Sequence, residues 1–177
     1  EAKAHTFKPL YGGVTGTDSQ QRYYRAFKEK YEGVTTWHEQ LQREAVQQRV
    51  ITLPSGRQYA FPDARWTKWG TATNRTAICN YPVQGFATAD LLPAALVRLE
   101  RMMRIRNLNS VICNTVHDSI VLDVHPDEKD ACIKLLEYAM LSLPTETVNR
   151  YGIEYDMPVG IELKIGKNWL DLTDVAL

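Results

Sequence analysis

Asp118 is the residue whose setting most strongly suggests chemistry. It stands between His117 and Ser119, and that triplet stands between two apolar runs, Val111-Ile112-Cys113 and Ile120 to Val124. The pattern predicts a β-hairpin with the carboxylate at its tip. A carboxylate held there by rigid strands suits a hard cation such as Mg²⁺, although an ordinary Asp in a tight turn gives the same pattern. Asp123 and His125 lie close in sequence, but strand alternation puts Asp123 out of line with the tip, so both read as a solvated face.

Lys3, Phe7 and Tyr11 form a second group, spaced four apart and so projecting from roughly one helix face. An ammonium, a ring and a phenol in a row can serve a nucleoside triphosphate. The ammonium meets phosphate as a point charge and a ring stacks on a base or packs on a sugar. A core stripe with a snorkelling Lys has the same spacing. Pro9 removes the backbone bond to His5 and is expected to loosen the helix before Tyr11. Asn80 and Gln84, also four apart, carry amides that could hydrogen-bond a base or sugar edge. Arg98, Arg101, Arg104 and Arg106 fit either a phosphate track or a solvated helix face.

These residues need elements to position them. Residues 2 to 11 read as a short helix stopped by Gly12-Gly13. From Gln20 to about Val50, the apolar residues Tyr23, Tyr24, Phe27, Tyr31, Val34, Trp37, Leu41, Ala45 and Val46 recur at helical spacing. Gly33 is the expected break between two helices. Val50 to Leu53, Pro54-Ser55-Gly56 and Arg57 to Phe61 read as strand, turn, strand. Thr73 to about Arg106 reads as helix, with Pro82 and Pro93 as starts or kinks. Pro126 to Leu143 reads as a further helix with acidic residues in its first turn, and Ile161 to Ile165 as a final strand. Helices followed by a hairpin, a helix and a strand indicate an α+β protein with an antiparallel sheet.

The 177 residues suit one domain or two small lobes, and the apolar and charged fractions, 44% and 24%, are those of a globular protein. No apolar run is long enough to span a bilayer, and the start carries no signal-peptide pattern. Three widely spaced cysteines, Cys79, Cys113 and Cys132, argue against a disulfide scaffold or a Cys-type zinc site. A cytoplasmic, intracellular protein (the host cell's, if viral) with no membrane partner is expected. The net charge of zero hides an asymmetry: residues 1–106 hold 16 Lys+Arg against 9 Asp+Glu, and residues 107–177 hold 5 against 12. A polyanion track beside a cation site would look like this, as would chance surface charge. Residue 1 is Glu and no capping residue precedes the first helical pattern, so the chain reads as cut from something longer.

Five segments, in order, resemble the family A (DNA polymerase I-like) DNA polymerases, phage-type members among them. AKAHTFKPLYGG resembles the later half of that family's motif B, K-x3-F-x3-Y-G, on the fingers helix. FKEKYEGV with ITLPSGRQYAFPD resembles the helix end and hairpin that complete the fingers, and NYPVQGFATADLL the palm helix with its Asn and Gln. TVHDSIVLDVHPDE resembles motif C, and ELKIGKNWLDL the closing strand and C-terminal end. The resemblance spans essentially the whole chain. It implies part of a right-hand polymerase fold, with fingers over residues 1–72 and the C-terminal part of the palm over 73–177.

By that resemblance, Lys3 would bind the triphosphate, Phe7 would disfavour a 2′-hydroxyl, and Tyr11 would stack at the templating position. Gly12 would admit the template, Asn80 and Gln84 would contact nucleic acid, and His117 would lie near the primer end. Asp118 would be the catalytic metal ligand. The implied reaction is attack by a primer 3′-hydroxyl on the α-phosphate of a dNTP, with two Mg²⁺ ions activating the hydroxyl and neutralising the leaving pyrophosphate. The implied partners are a DNA primer-template and dNTP.

The chain departs from the family in four places. Ser119 replaces the family's usual Glu, and single-subunit phage-type RNA polymerases do use His-Asp-Ser. An RNA polymerase fragment is therefore one alternative, and a non-catalytic DNA-binding relic another. The motif-B arginine would precede residue 1, and Arg75 lies one place off the usual Arg relative to Asn80. No segment resembles motif A, DYSQIELR, so a second metal-binding Asp is missing. The chain alone is expected to be inactive and to need an N-terminal portion carrying motif A.

Overall fold

A computed structural model describes residues 7–13, 15–154 and 159–175 of the chain. Lys3 lies outside the described residues. The chain divides into two compact units, Glu1–Phe86 and Ala87–Leu177.

In the first unit, residues 7–10 are helical. The backbone then closes through Gly12, whose φ is +79° and whose N–H donates to Pro9 O at 3.0 Å. Helix α1 (Asp18–Lys30) begins at Thr17 with a capping box shared with Gln20, which satisfies two N–H groups that the first turn would otherwise orphan. Helix α2 (Glu32–Gln48) follows directly. The break therefore falls at Tyr31, not at Gly33: Tyr31 leaves helical geometry at φ −117°, ψ 62°. Gly33 sits in the first turn of α2, where there is little intrahelical bonding to weaken and its flexibility costs little.

The buried residues of α2 are His38, Leu41, Gln42 and Ala45, a 3.6-residue stripe. They face strands β1 (Val50–Thr52) and β2 (Gln58–Ala60), paired antiparallel as expected, and helix α3 (Arg75–Gly85). Leu41, Ala45, Ile51, Phe61, Ala64, Ala72 and Ile78 make the core. Each fully buried side chain of leucine or phenylalanine size contributes roughly 1.5–3 kcal/mol. Gly85 matters here because a Cβ would collide with the Tyr59 hydroxyl.

Pro82 lies inside α3 without ending it. The helix instead loosens into a π-helical segment, Phe86–Leu91, before helix α4 (Leu92–Ile105), which carries Pro93 at its first positions. In the second unit, α4 packs on helix α5 (Lys129–Leu141). Leu99, Met103, Leu135 and Ala139 form the centre, with Ile112, Ile120 and Leu122 packed against it. The last three belong to strands β3 (Val111–Val116) and β4 (Ser119–Asp123).

The stretch expected as one helix over 126–143 is a 3-10 turn (Pro126–Glu128), then α5, then a separate helix α6 (Leu143–Tyr151). Pro144 explains the restart, since proline favours a first turn over a helix interior. The strand expected at 161–165 is reduced to β5 (Lys164–Ile165), paired with β6 (Thr173–Asp174). Among the described residues, helices with three two-stranded antiparallel sheets make the α+β class that the sequence predicts. Among the described residues, no helix is long and apolar enough to cross a membrane, and all three cysteines are free.

Candidate functional site

The β3–β4 hairpin is closed by two residues, His117 and Asp118, between the paired Val116 and Ser119. Of these, His117 has φ +55° and Asp118 is not in the positive-φ region, a pattern that belongs to a II′-type turn, where glycine is the usual first residue. A histidine there costs on the order of 1–2 kcal/mol. Ser119 Oγ donates to Val116 O at 2.9 Å and braces the turn.

A bulge at Cys113 shifts the register between Ile112 and Asn114. The extra residue lets Ile112 and Thr115 share the face of Leu122 and Ile120, and bulges of this kind re-aim a strand. Asp118 is exposed, and among the described residues it has no ion-pair partner. Asp123 is exposed as well, on the face opposite Ile120 and Leu122. His125 caps the 3-10 turn, its Nδ1 accepting from Asp127 N at 3.4 Å.

The base of the hairpin is tied to α5 by Glu128. Its carboxylate accepts from Asn109 N and Ser110 N, both at 2.8 Å, from Asn109 Nδ2 at 3.1 Å and from Ser110 Oγ at 2.6 Å. These bonds, the one from Asn109 N foremost, hold its pKa down to about 2.

In the first unit, Phe7 and Tyr11 come together. Their rings stack at 6.0 Å with an interplanar angle of 12°, and Tyr11 N donates to Phe7 O at 3.0 Å. The helical spacing therefore survives Pro9 as far as Tyr11. Gly12 is pressed onto α3: a Cβ there would lie 3.1 Å from Cys79 Sγ and 3.5 Å from Arg75 Nε. The residue after Cys79 is Asn80, so the end of the opening segment and the Asn80 turn of α3 are neighbours.

His38 of α2 completes this region. It is 4% exposed and hydrogen-bonds the Leu10 backbone. Burial first, and the Arg75 charge second, lower its pKa below the usual 6.5, which favours the neutral imidazole. Lys28 is lowered for the same two reasons. Burial pushes the Cys79 thiol up to about 11, which makes it inert as a nucleophile. Four buried side-chain polar atoms of described residues lack a hydrogen-bond partner: Tyr24 OH, His38 Nε2, Arg75 Nε and Asn80 Oδ1. All four are in the first unit, and such groups call for an explanation. Gln84 is exposed one turn beyond Asn80.

The sequence does not bring Lys28, His38, Arg75 and Cys79 together, because they come from three helices and only packing assembles them. The signal for His38 is its place on the stripe of Leu41, Gln42 and Ala45, whereas apolar periodicity selects Trp37. Trp37 is 37% exposed.

Among the described residues, no group of three or more His, Cys, Asp or Glu side chains could hold a metal ion. Asp118 fits as a single protein ligand to a Mg²⁺ ion, which keeps waters and commonly takes one or two carboxylates.

The fold is that of part of a polymerase domain. The solved POL domain of Pol1 from M. smegmatis, in complex with DNA primer-template and dNTP, superposes with a TM-score of 0.73 at 20% identity, over 89% of this chain and 28% of that one. The profile of DNA polymerase family A matches residues 12–171, and the chain belongs to that family. DNA polymerase I of Lactococcus lactis subsp. lactis (strain IL1403) is 30% identical over 96% of this chain and 19% of its own length. The DNA polymerase of Bacillus phage SP01 is 26% identical over 93% of this chain and 18% of its own. The chain thus spans about a fifth of the length of these curated relatives.

Proposed function

We propose that this chain is the C-terminal part of a template-directed DNA polymerase. It would extend a primer by attack of the 3′-hydroxyl on the α-phosphate of a dNTP, with pyrophosphate leaving. The observation that carries the reading is the presentation of Asp118: an exposed, unpaired carboxylate on a braced two-residue turn, beside a histidine held at positive φ. Strain of this kind collects at functional sites. Family membership supports the same assignment.

In this reading residues 1–72 are fingers and 73–177 palm. Lys3 meets the triphosphate, Phe7 packs on the sugar, Tyr11 stacks at the templating position and Gly12 leaves room for the template. Asn80 and Gln84 hydrogen-bond the nucleic acid; the buried, unpartnered Asn80 Oδ1 is an acceptor that a base or sugar donor would satisfy. His117 lies near the primer end. Asp118 holds the divalent cation, and two Mg²⁺ ions would supply Lewis-acid polarisation and a lowered pKa for the attacking hydroxyl. A second carboxylate is required, and with no motif A in the sequence it must come from an N-terminal portion.

Primer extension tests this. The 177-residue chain alone should incorporate no dNTP, and joined to a portion carrying motif A it should extend a DNA primer-template. DNA binding without incorporation under any complementation would show a non-catalytic module. A preference for ribonucleotides in the joined protein would show an RNA polymerase. For the DNA polymerase, Phe7→Ala should relax sugar discrimination.

A further inference from the structure

We propose that the Trp66–Trp69 turn is a stacking platform for single-stranded nucleic acid, separate from the residues assigned above. Trp69 is 77% exposed and Trp66 47%, an unusual display for the largest apolar side chain. Both lie on a stiff backbone. Trp66 bridges Ala72, Thr67 N donates to Thr71 O at 2.8 Å, Gly70 N donates to Thr67 O at 3.1 Å, and Thr73 N donates to Arg65 O at 2.9 Å. The Thr67 and Thr71 hydroxyls bond each other at 3.1 Å.

Ala72 anchors the turn to the core: it is 3% exposed, and its N–H donates to Gln42 Oε1 at 3.0 Å. A ligand that stacks on these rings therefore meets groups already ordered, which lowers the entropic cost of binding.

The charge around the rings selects the ligand. Lys68 Nζ lies 4.7 Å from the Trp69 ring centroid, Arg65 is exposed beside Trp66, and no Asp or Glu occurs between Asp63 and Asp90. Aromatic faces interleaved with the cations Arg65 and Lys68 fit a strand of unpaired bases and phosphates, even with the exposed Asp63 at the base of the turn. Bases supply the π-faces and phosphates the counter-charge. A protein partner of apolar surface would not call for the cations. The platform goes beyond the polymerase reading and rests on it only in naming the strand, which would be the unpaired template ahead of the duplex.

The test compares binding of the full chain to a primer-template with and without a single-stranded overhang, and to oligo(dT) alone, followed by quenching of tryptophan fluorescence. Wild type should gain affinity from the overhang. Trp69→Ala should erase that gain, weakening oligo(dT) binding about 5- to 150-fold while leaving affinity for the blunt duplex unchanged. Trp69→Phe should restore most of it. Lys68→Ala should reduce the salt slope by about one.

An overhang increment unchanged in both Trp66→Ala and Trp69→Ala would overturn the proposal. So would an equal loss of blunt-duplex affinity, or rings shielded from solvent quenchers in the unliganded protein. Trp69-dependent oligo(dT) binding with no duplex binding by wild type would uphold the platform and count against the polymerase reading instead.

Discussion

The Gly12 region and the Asp118 tip solve opposite problems. Around Gly12 the groups are basic and withdrawn from solvent, and a Cβ would crowd Cys79 Sγ at 3.1 Å. His38 and Lys28 carry lowered pKa values because burial and Arg75 disfavour their charge, and all four buried polar atoms without partners lie in that unit. At Asp118 the charge is acidic and exposed, and the cost is taken in the backbone, at His117 with φ +55°. A group that must position a helix end can afford desolvation. A carboxylate that must meet a hydrated cation does better with a strained but solvated perch.

Several changes would break or sharpen this contrast. Gly12→Ala should be the most damaging, because it adds a left-handed penalty to overpacking against Cys79; a loss of roughly 2–4 kcal/mol is expected in denaturant unfolding. A Cm close to wild type would show that the contact with α3 yields easily.

His117→Gly should act in the opposite direction. Relief of about 1–2 kcal/mol of strain is partly offset by about 0.5–1 kcal/mol of added chain entropy, leaving a net gain of at most about 1.5 kcal/mol. In the proposed reading this variant is more stable and yet a poorer polymerase. Equal stability and undiminished incorporation together would remove the functional meaning of the strain.

The smallest effect separates the units by pH. His38 has a folded pKa below its ordinary 6.5, so the unfolded chain takes up a proton first, and stability should fall as pH drops below that value, levelling off under the folded pKa. Glu128 is depressed from 4.5 to about 2, so its stabilisation is complete above pH 4.5 and is lost as pH falls toward 2. Amide exchange should therefore show the first unit loosening at milder acidity than the base of the hairpin. Glu128→Gln should abolish the lower-pH step alone, and His38→Phe the upper one alone. Both units loosening over one shared window would contradict the assignment of these groups.

Much of the fold was legible in the sequence. The β3–β4 hairpin was, because two apolar runs flank the polar triplet His117-Asp118-Ser119, and the β1–β2 hairpin was, because Pro54-Ser55-Gly56 punctuates it. The five ordered segments carried the family itself. The bulge at Cys113 was not legible, since nothing in Val111 to Val116 distinguishes a register shift from plain alternation. The break at Tyr31 is hidden because Gly33 gives the louder local signal. The β5–β6 pair is two residues long on each side and leaves no period to detect. Of the candidate site, spacing gave Phe7 with Tyr11 and the turn at Asp118. The lining of Gly12 stayed hidden, because Lys28, His38 and Arg75 are distant in sequence and meet only through packing.

The most direct measurement is single-turnover dNTP incorporation by the chain joined to a motif A-bearing portion, with Asp118→Asn set against wild type and thermal melting run in parallel. An exposed turn residue should tolerate the amide without a change in Tm, while the loss of a cation ligand should lower the rate by more than about 1,000-fold. Wild-type incorporation by Asp118→Asn at unchanged Tm would contradict the role given to this carboxylate.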